Sequence, residues 1–125
     1  MTRPAPLKDR VGAAGEDAAA SHLEAAGMTI LVRDWRCRLG QIDAVALDGE
    51  TLVVVEVKAR RGAGFLLPIE AVDARKRRKL RMLAAAYTAA AGWSDRPVRI
   101  DVVGVLLDAS LRVVRCDHVR DAVGD

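Results

Sequence analysis

The sequence predicts one α/β domain in which a mixed β-sheet is flanked by helices. Ala- and Leu-rich segments with helical spacing alternate with runs rich in Val and Ile, and the order of these segments is αβββαββ. One Asp-Gly pair between two apolar runs predicts a hairpin inside the sheet.

The size and composition exclude several classes of protein. A chain of 125 residues is too short for a two-domain enzyme. Hydrophobic residues make up 51% and charged residues 30%, which excludes a disordered tail and a fibrous repeat. No apolar run reaches the roughly 18 residues of a membrane span, so we expect a cytoplasmic protein without a membrane partner. Cys37 and Cys116 lack zinc-ligand spacing, and we expect reduced thiols.

The first half of the domain is predicted to contain a helix and three strands. The Ala-rich run from residue 9 to Gly27 predicts the helix, because Gly favours the position after a helix end. Residues 28–33 predict the first strand and residues 34–40 a connection. The hairpin strands are then residues 41–47 and 50–59, joined by Asp48 and Gly49.

The second half is predicted to contain a helix and two strands. Apolar residues recur at three- and four-residue intervals across residues 68–91, which predicts a helix that ends at Gly92. Residues 98–107 and 111–115 predict the last two strands. We expect the domain to span residues 9–117, between a loose arm at 1–8 and a tail at 118–125.

The hairpin brings charged residues of its two strands together. With the Asp-Gly pair as a two-residue loop, Leu47 pairs with Glu50. Alternation then places four polar side chains on one face of the sheet: Gln41, Asp43, Glu56 and Lys58.

Two carboxylates in otherwise apolar strands indicate a cation site. A lone buried charge costs several kcal/mol, and two like charges repel unless a cation lies between them. Because Mg²⁺ takes one or two carboxylates with water and phosphate oxygens, we expect Asp43 and Glu56 to bind Mg²⁺, or Mn²⁺ as a substitute. Lys58 is expected to orient the attacking water or offset developing charge. The alternative is a partly exposed Glu56–Lys58 ion pair without a catalytic role.

Glu16 and Lys76 lie on the apolar stripes of the two helices. Glu16 shares its side with Ala19 and Leu23, so we expect it near the site, although an acid near a helix N terminus also interacts with the helix dipole. Lys76 lies one turn before Leu80, and its ammonium either approaches the site or extends into solvent along the helix surface.

Basic charge is concentrated in one segment. Between Lys58 and Arg81 nine basic residues stand against two acidic ones, whereas the whole chain has a net charge of +3. This asymmetry predicts a nucleic-acid partner, DNA before RNA, with an acidic membrane surface second, although a solvated helix face has the same pattern. The candidate contacts are Arg36, Arg60, Arg61, Arg75, Lys76, Arg77, Arg78 and Arg81.

Five short motifs occur in order along the chain: Gly15-Glu16, Gly40-Gln41-Ile42-Asp43, Val55-Glu56-Val57-Lys58-Ala59-Arg60, Ala74-Arg75-Lys76-Arg77 and Arg99-Ile100-Asp101-Val102-Val103. Together they cover the chain from about residue 11 to residue 107. This set resembles the YraN family of small bacterial proteins, which is similar to archaeal Holliday junction resolvases of the PD-(D/E)XK nuclease superfamily.

The resemblance implies a restriction-endonuclease-like core and a Mg²⁺-dependent endonuclease that acts on DNA, including branched or structured DNA. It implies that Asp43, Glu56 and Lys58 are the motif residues and that Glu16 is the helix carboxylate that completes the metal site. The family usually has Gly-Glu-Ile-Asp where this chain has Gln41, which keeps an oxygen ligand but lacks the negative charge. Gln41 is therefore an uncertain, auxiliary member of the site.

Two other functions fit the same residues. The chain could be a non-catalytic nucleic-acid-binding module with a vestigial site, or an interaction protein whose basic helix docks on an acidic partner. Metal-dependent cleavage separates the nuclease from both, and salt-dependent nucleic-acid binding separates the other two. The sequence also leaves a homodimer open.

Overall fold

Among the residues that the structure describes, five strands form one mixed sheet, with one helix packed on each face. The computed structural model describes residues 3–62 and 72–124. The predicted α/β architecture and the order αβββαββ are confirmed. The elements are α1 (Leu7–Ala25), β1 (Thr29–Cys37), β2 (Gly40–Asp48), β3 (Thr51–Arg61), α2 (Ala74–Ala91), β4 (Val98–Leu107) and β5 (Val113–Val119).

The strands lie in chain order across the sheet, from β1 at one edge to β5 at the other. Neighbours are antiparallel except β3 and β4, which are parallel. α2 lies in the connection between the two parallel strands, which a short turn could not span.

Each face of the sheet has its own apolar core. Under α2 the core contains Val54, Leu80 and Leu83, and under α1 it contains Leu23, Val55 and other small aliphatic residues. Because β3 alternates between these clusters from residue 52 to residue 55, it is apolar on both faces, as its Val-rich sequence requires. Among the described residues no helix is long and apolar enough to cross a membrane.

The helix bounds differ modestly from the predicted ones. α1 begins at Leu7, inside the expected arm, and ends before Gly27, whose φ is +92°. α2 begins after Asp73, whose side chain accepts a hydrogen bond from the Lys76 amide at 2.8 Å. The predicted first residues of this helix, 68–71, lie outside the described part of the chain, and the predicted end at Gly92, with φ +67°, is confirmed.

The predicted hairpin register is wrong by two residues. Asp48 pairs with Thr51, so Gly49 and Glu50 form the loop, and Gly49 has a φ of +62°. Asp48 remains in the strand because its carboxylate forms ion pairs with Arg99 at 2.8 Å and Arg120 at 3.1 Å. A register error of two residues does not by itself move a side chain to the other face of the sheet.

Two strands, β1 and β5, extend four residues beyond their predicted ends. β1 continues through the expected connection to Cys37, with Asp34 at a φ of +56°. β5 continues to Val119, and Ala122 and Val123 beyond it are buried in the core under α2. The expected tail at 118–125 therefore contributes to the core, because the Ala122 amide donates to the Ile100 carbonyl at 2.8 Å and holds this segment against β4.

Candidate active site

The alternation of side chains between the two faces of the sheet breaks at Asp43 in β2, next to the end of the pairing between β2 and β3. Ile42 packs under α2 but Ala44 packs under α1, although residues two apart in a regular strand share a face. The ladder between the strands runs from the loop to Ala44 and Val55. Two residues further along β3, the Val57 amide donates a hydrogen bond to the Asp43 carboxylate at 2.7 Å, so the acceptor here is a side chain and not the backbone of β2.

All four predicted catalytic residues line one cleft, which has a volume of about 560 Å³. Glu16 comes from α1, Asp43 from β2, and Glu56 and Lys58 from β3. We expected them to meet on one face of the sheet. Instead they meet where the two strands part, because this opening is accessible to side chains from both faces.

A close helix contact holds Glu16 at the cleft. Gly15 is buried against β3, and a Cβ atom at Gly15 would overlap the Cβ of Ala59. Only glycine lets α1 approach β3 this closely. Sequence patterns alone gave no reason for this glycine, since its partner is distant along the chain.

Each of the three carboxylates of the cleft has a raised pKa. Burial raises the pKa of Glu56, and the neighbouring Asp43 raises it further. Burial also raises the pKa of Asp43, although the Val57 amide and the Lys76 ammonium oppose this shift. The pKa of Glu16 is raised by its burial and then by the charge of Asp43. A cation in the cleft would relieve all three.

Lys76, and not Lys58, is the lysine that pairs with these carboxylates. Its Nζ lies 3.2 Å from Glu56 Oε2, where the Glu56 side chain is 10% exposed and the Lys76 side chain 34% exposed. Lys58 is exposed at the cleft and forms no ion pair with any residue in the described ranges. Of the two outcomes left open for Lys76, the structure therefore shows the approach to the site.

The donor set of the cleft suits a hard divalent ion. Asp43 and Glu56 offer carboxylate oxygens from adjacent strands, which is the donor type that Mg²⁺ and Mn²⁺ prefer. Within residues 3–62 and 72–124, no three His, Cys, Asp or Glu side chains form a ready-made metal cage. Such a cleft fits an ion that keeps several waters or substrate oxygens among its ligands.

A second depression, of about 420 Å³, adjoins the cleft and shares Glu16 and Asp43 as its wall. Gln41 lines it together with Arg33 and Arg36. The predicted contact Arg36 is exposed and pairs with Asp34 at 3.3 Å. Gln41 thus lies beside the carboxylates but not in the cleft that contains Glu56.

Apart from Arg36, the predicted basic residues lie on α2 and at the end of β3. Arg75, Arg78 and Arg81 are exposed on α2, whereas Arg77 is partly buried and its Nε has no partner in the described chain. Arg61 lines the cleft, and Arg60 beside it in β3 is exposed. A groove of about 760 Å³ on α2 is lined by Asp73, Arg75, Lys76, Arg78, Lys79 and Met82. The predicted nucleic-acid contacts did not include Lys8, which lines the cleft, or Lys79, which lines the groove. Lys79 lies four residues after Arg75, and this helical spacing could have indicated that the two share one face of α2.

A family model now decides the relationship of this chain. The model of the uncharacterised protein family UPF0102 matches residues 15–105. The chain belongs to this family. It is the family that the ordered motifs resemble, so the predicted membership is confirmed. The UPF0102 match includes the cleft residues from Glu16 to Lys58, and Lys76 as well.

Relatives in the family extend over nearly the whole chain. A UPF0102 protein of Acidothermus cellulolyticus is 47% identical over 116 residues, covering 85% of this chain and 88% of the relative. A UPF0102 protein of Nocardia farcinica is 45% identical over 113 residues, covering 90% and 88%. Among solved structures, a chain of an EndoMS-dsDNA2 complex matches with a TM-score of 0.45 and 18% identity, covering 86% of this chain and 38% of that one.

Proposed function

We propose that this UPF0102 protein is a Mg²⁺-dependent endonuclease that hydrolyses phosphodiester bonds of DNA, with branched or structured duplexes as its substrate class. The observation that carries the proposal is the meeting of Glu16, Asp43 and Glu56 in one cleft beside a basic helix. Carboxylates whose pKa values are raised favour a bound cation, and the basic helix favours a phosphate backbone.

Each cleft residue has a distinct role in this proposal. Asp43 and Glu56 hold the metal ion through their carboxylate oxygens. Bound Mg²⁺ supplies polarisation of the scissile phosphate and a more acidic water. Glu16 accepts a hydrogen bond from a water in the cleft and so orients it. Lys58 presents an exposed ammonium that offsets the negative charge growing on the phosphate.

Cleavage assays with matched variants test the proposal. Wild type, Asp43→Asn and Asp17→Asn are incubated with linear, flapped and four-way DNA across a Mg²⁺ and Mn²⁺ series. We expect metal-dependent cleavage that falls at least about 100-fold in Asp43→Asn, because the change removes charge that holds the ion. Asp17, on the exposed side of α1, is the control and its variant should cleave normally. Equal cleavage by wild type and Asp43→Asn would reveal a contaminating nuclease.

Gln41 offers a second, opposite test at the same site. Gln41→Glu restores a carboxylate beside Asp43, so it should lower the Mg²⁺ concentration required for cleavage or raise the rate. An unchanged metal requirement and rate would exclude Gln41 from the site.

The exposed arginines of α2 are proposed to hold the DNA backbone. Reversing the charges of Arg75, Arg78 and Arg81 together should weaken binding and flatten its salt dependence by about 0.9 in log–log slope for each lost phosphate contact. Arg77 is left intact because its Nε is buried. Arg96→Glu, beyond the other end of α2, is the control and should change the slope little.

A non-catalytic binding module is the second candidate, and the Lys76–Glu56 ion pair favours it, because a vestigial site can neutralise its acid with a lysine. Salt-dependent DNA binding without metal-dependent cleavage, in wild type and in Gln41→Glu, would establish this alternative. If wild type binds no nucleic acid even at low salt, the basic helix instead fits an acidic protein partner.

A further inference from the structure

Lys76 holds an unusual position for a residue of the basic helix. Only four of the 20 basic residues are lysines, and Lys76 is the one whose ammonium contacts Glu56, at 3.2 Å. Its backbone amide is fixed by the Asp73 side chain in the first turn of α2. The helix therefore presents one lysine inward, to the carboxylates, while Arg75, Arg78 and Lys79 remain exposed.

The ammonium contacts one oxygen, Oε2, of Glu56, which is one of the two carboxylates proposed to bind the metal ion. A metal ion at Glu56 and an ammonium in contact with the same carboxylate repel each other. The Lys76 charge also acts on Asp43, so the ammonium opposes the binding of a divalent ion by both carboxylates. Withdrawal of Lys76 from Glu56 would remove this opposition.

The withdrawn side chain has a second place to go. Lys76 also lines the α2 groove, together with Arg75, Arg78 and Lys79. A third of its side chain is already exposed, so rotation about its flexible stem would carry the ammonium from Glu56 to the groove. A phosphate in that groove would offer it a new negative partner.

We propose that Lys76 is the resident counter-cation of the Asp43–Glu56 pair, which a divalent ion displaces and a nucleic-acid phosphate then receives. Lys76 thus couples the two binding events. Because such coupling is reciprocal, the metal strengthens nucleic-acid binding by the same factor by which nucleic acid strengthens metal binding. The inference rests on the proposed function for the identity of the two ligands, but not on turnover.

Calorimetric titration with Mg²⁺, in the absence of nucleic acid, is the first test. Lys76→Met keeps an unbranched side chain and removes the charge. Lys79→Met is the control, because Lys79 lies on the same helix but does not form the ion pair with Glu56. We expect Lys76→Met to bind Mg²⁺ about two- to fivefold more tightly than wild type, the size of one partly exposed ion pair, and Lys79→Met to match wild type. Equal or weaker Mg²⁺ binding by Lys76→Met would overturn the proposal, as would the same gain in Lys79→Met. Thermal melting of each variant controls for loss of the fold.

Fluorescence anisotropy of labelled duplex DNA is the second test. Ca²⁺ replaces Mg²⁺, since it also binds oxygen ligands, and the DNA affinity is compared with and without it. In wild type and Lys79→Met we expect Ca²⁺ to strengthen DNA binding, and in Lys76→Met we expect that strengthening to be lost. A metal effect that persists in Lys76→Met would overturn the coupling.

The two proposals fail in different ways. If Lys76→Met gains Mg²⁺ affinity but no form of the protein cleaves DNA, the counter-cation role stands and the nuclease proposal fails. If wild type cleaves with Mg²⁺ and Lys76→Met has unchanged Mg²⁺ affinity, the nuclease proposal stands and this inference fails.

Discussion

Glu56 and Asp101 are the two buried charged residues of the described chain, and they have opposite environments. They lie on the neighbouring strands β3 and β4, where Glu56 pairs with Val102 and Asp101 with Val55, and they face opposite helices. Glu56 has one cationic partner, Lys76, and a like charge nearby. Asp101 accepts hydrogen bonds from His118 at 2.8 Å, from Arg99 at 3.0 Å and from the Asp121 amide at 2.9 Å.

The two acids show that burial alone does not decide the charge state of a carboxylate. Burial would raise the pKa of Asp101, but the donors from His118, Arg99 and Asp121 hold it below its usual range. Burial and a neighbouring charge raise the pKa of Glu56. A carboxylate with enough donors stabilises the fold, whereas one with too few remains available to a cation.

Asp101→Asn should produce the largest loss of stability in this comparison. It removes the buried charge that pairs with His118 and Arg99, and leaves Arg99 only the more exposed Asp48, so we expect the free energy of unfolding to fall by about 3 kcal/mol or more. Urea denaturation at neutral pH measures it. Asp117→Asn, which breaks a more exposed pair with Arg115 on the same sheet, is the control and should cost below about 1 kcal/mol. Equal losses in the two variants would contradict the structural role of Asp101.

Acid titration should sharpen this result. Because the pKa of Asp101 is lowered in the folded state, its contribution is complete above the ordinary pKa of an aspartate and is lost as pH falls through the lowered value. The difference in unfolding free energy between wild type and Asp101→Asn should therefore be constant from about pH 7 to 5 and shrink at lower pH. A difference in unfolding free energy that grows as the pH falls would contradict a lowered pKa of Asp101.

Gly15→Ala should produce a smaller loss, at the cleft end of α1. Its Cβ would overlap Ala59, so α1 must shift, at a cost of about 1–3 kcal/mol. The shift also moves Glu16 away from Asp43 and should reduce cleavage. Adding Ala59→Gly should recover much of the stability, because it removes the atom that the new Cβ would overlap. A double variant as unstable as Gly15→Ala would show that this overlap does not cause the loss.

Glu56→Gln should have the smallest effect on stability and the opposite sign. The raised pKa of Glu56 means that its charge costs folding free energy at neutral pH, so the neutral variant should be as stable as wild type or up to about 1 kcal/mol more stable. Denaturation in EDTA measures this without a metal contribution. Glu50→Gln, in the exposed hairpin loop, is the control. A loss of unfolding free energy as large as that of Asp101→Asn would show that the Glu56 charge stabilises the fold.

The order of the elements could be predicted because each depends on local pattern. Val-rich runs alternate with Ala-rich runs, and glycines after both helices adopt positive φ. Glu16, Asp43, Glu56 and Lys58 could be selected as a set because charges in apolar segments are conspicuous. The expectation that the strand residues share one face was wrong, because the alternation of β2 breaks at Asp43.

The errors in the prediction arise from contacts between distant residues. Asp48 stays in the ladder because Arg99 and Arg120 bind it, which the Asp-Gly signal does not reveal. The C-terminal segment joins the core through Ala122 and Val123, although its sequence is that of a polar tail.

The sequence by itself determined the alternation of helices and strands, the basic segment and the identity of the acids in the cleft, because these follow from local composition and periodicity. Only the tertiary structure decided that Asp43 lies where β2 and β3 part, that Lys76 pairs with Glu56, and that Asp101 is fully satisfied. The physical reason is that the state of a buried charge depends on which donors and charges surround it, and those come from elements far apart along the chain.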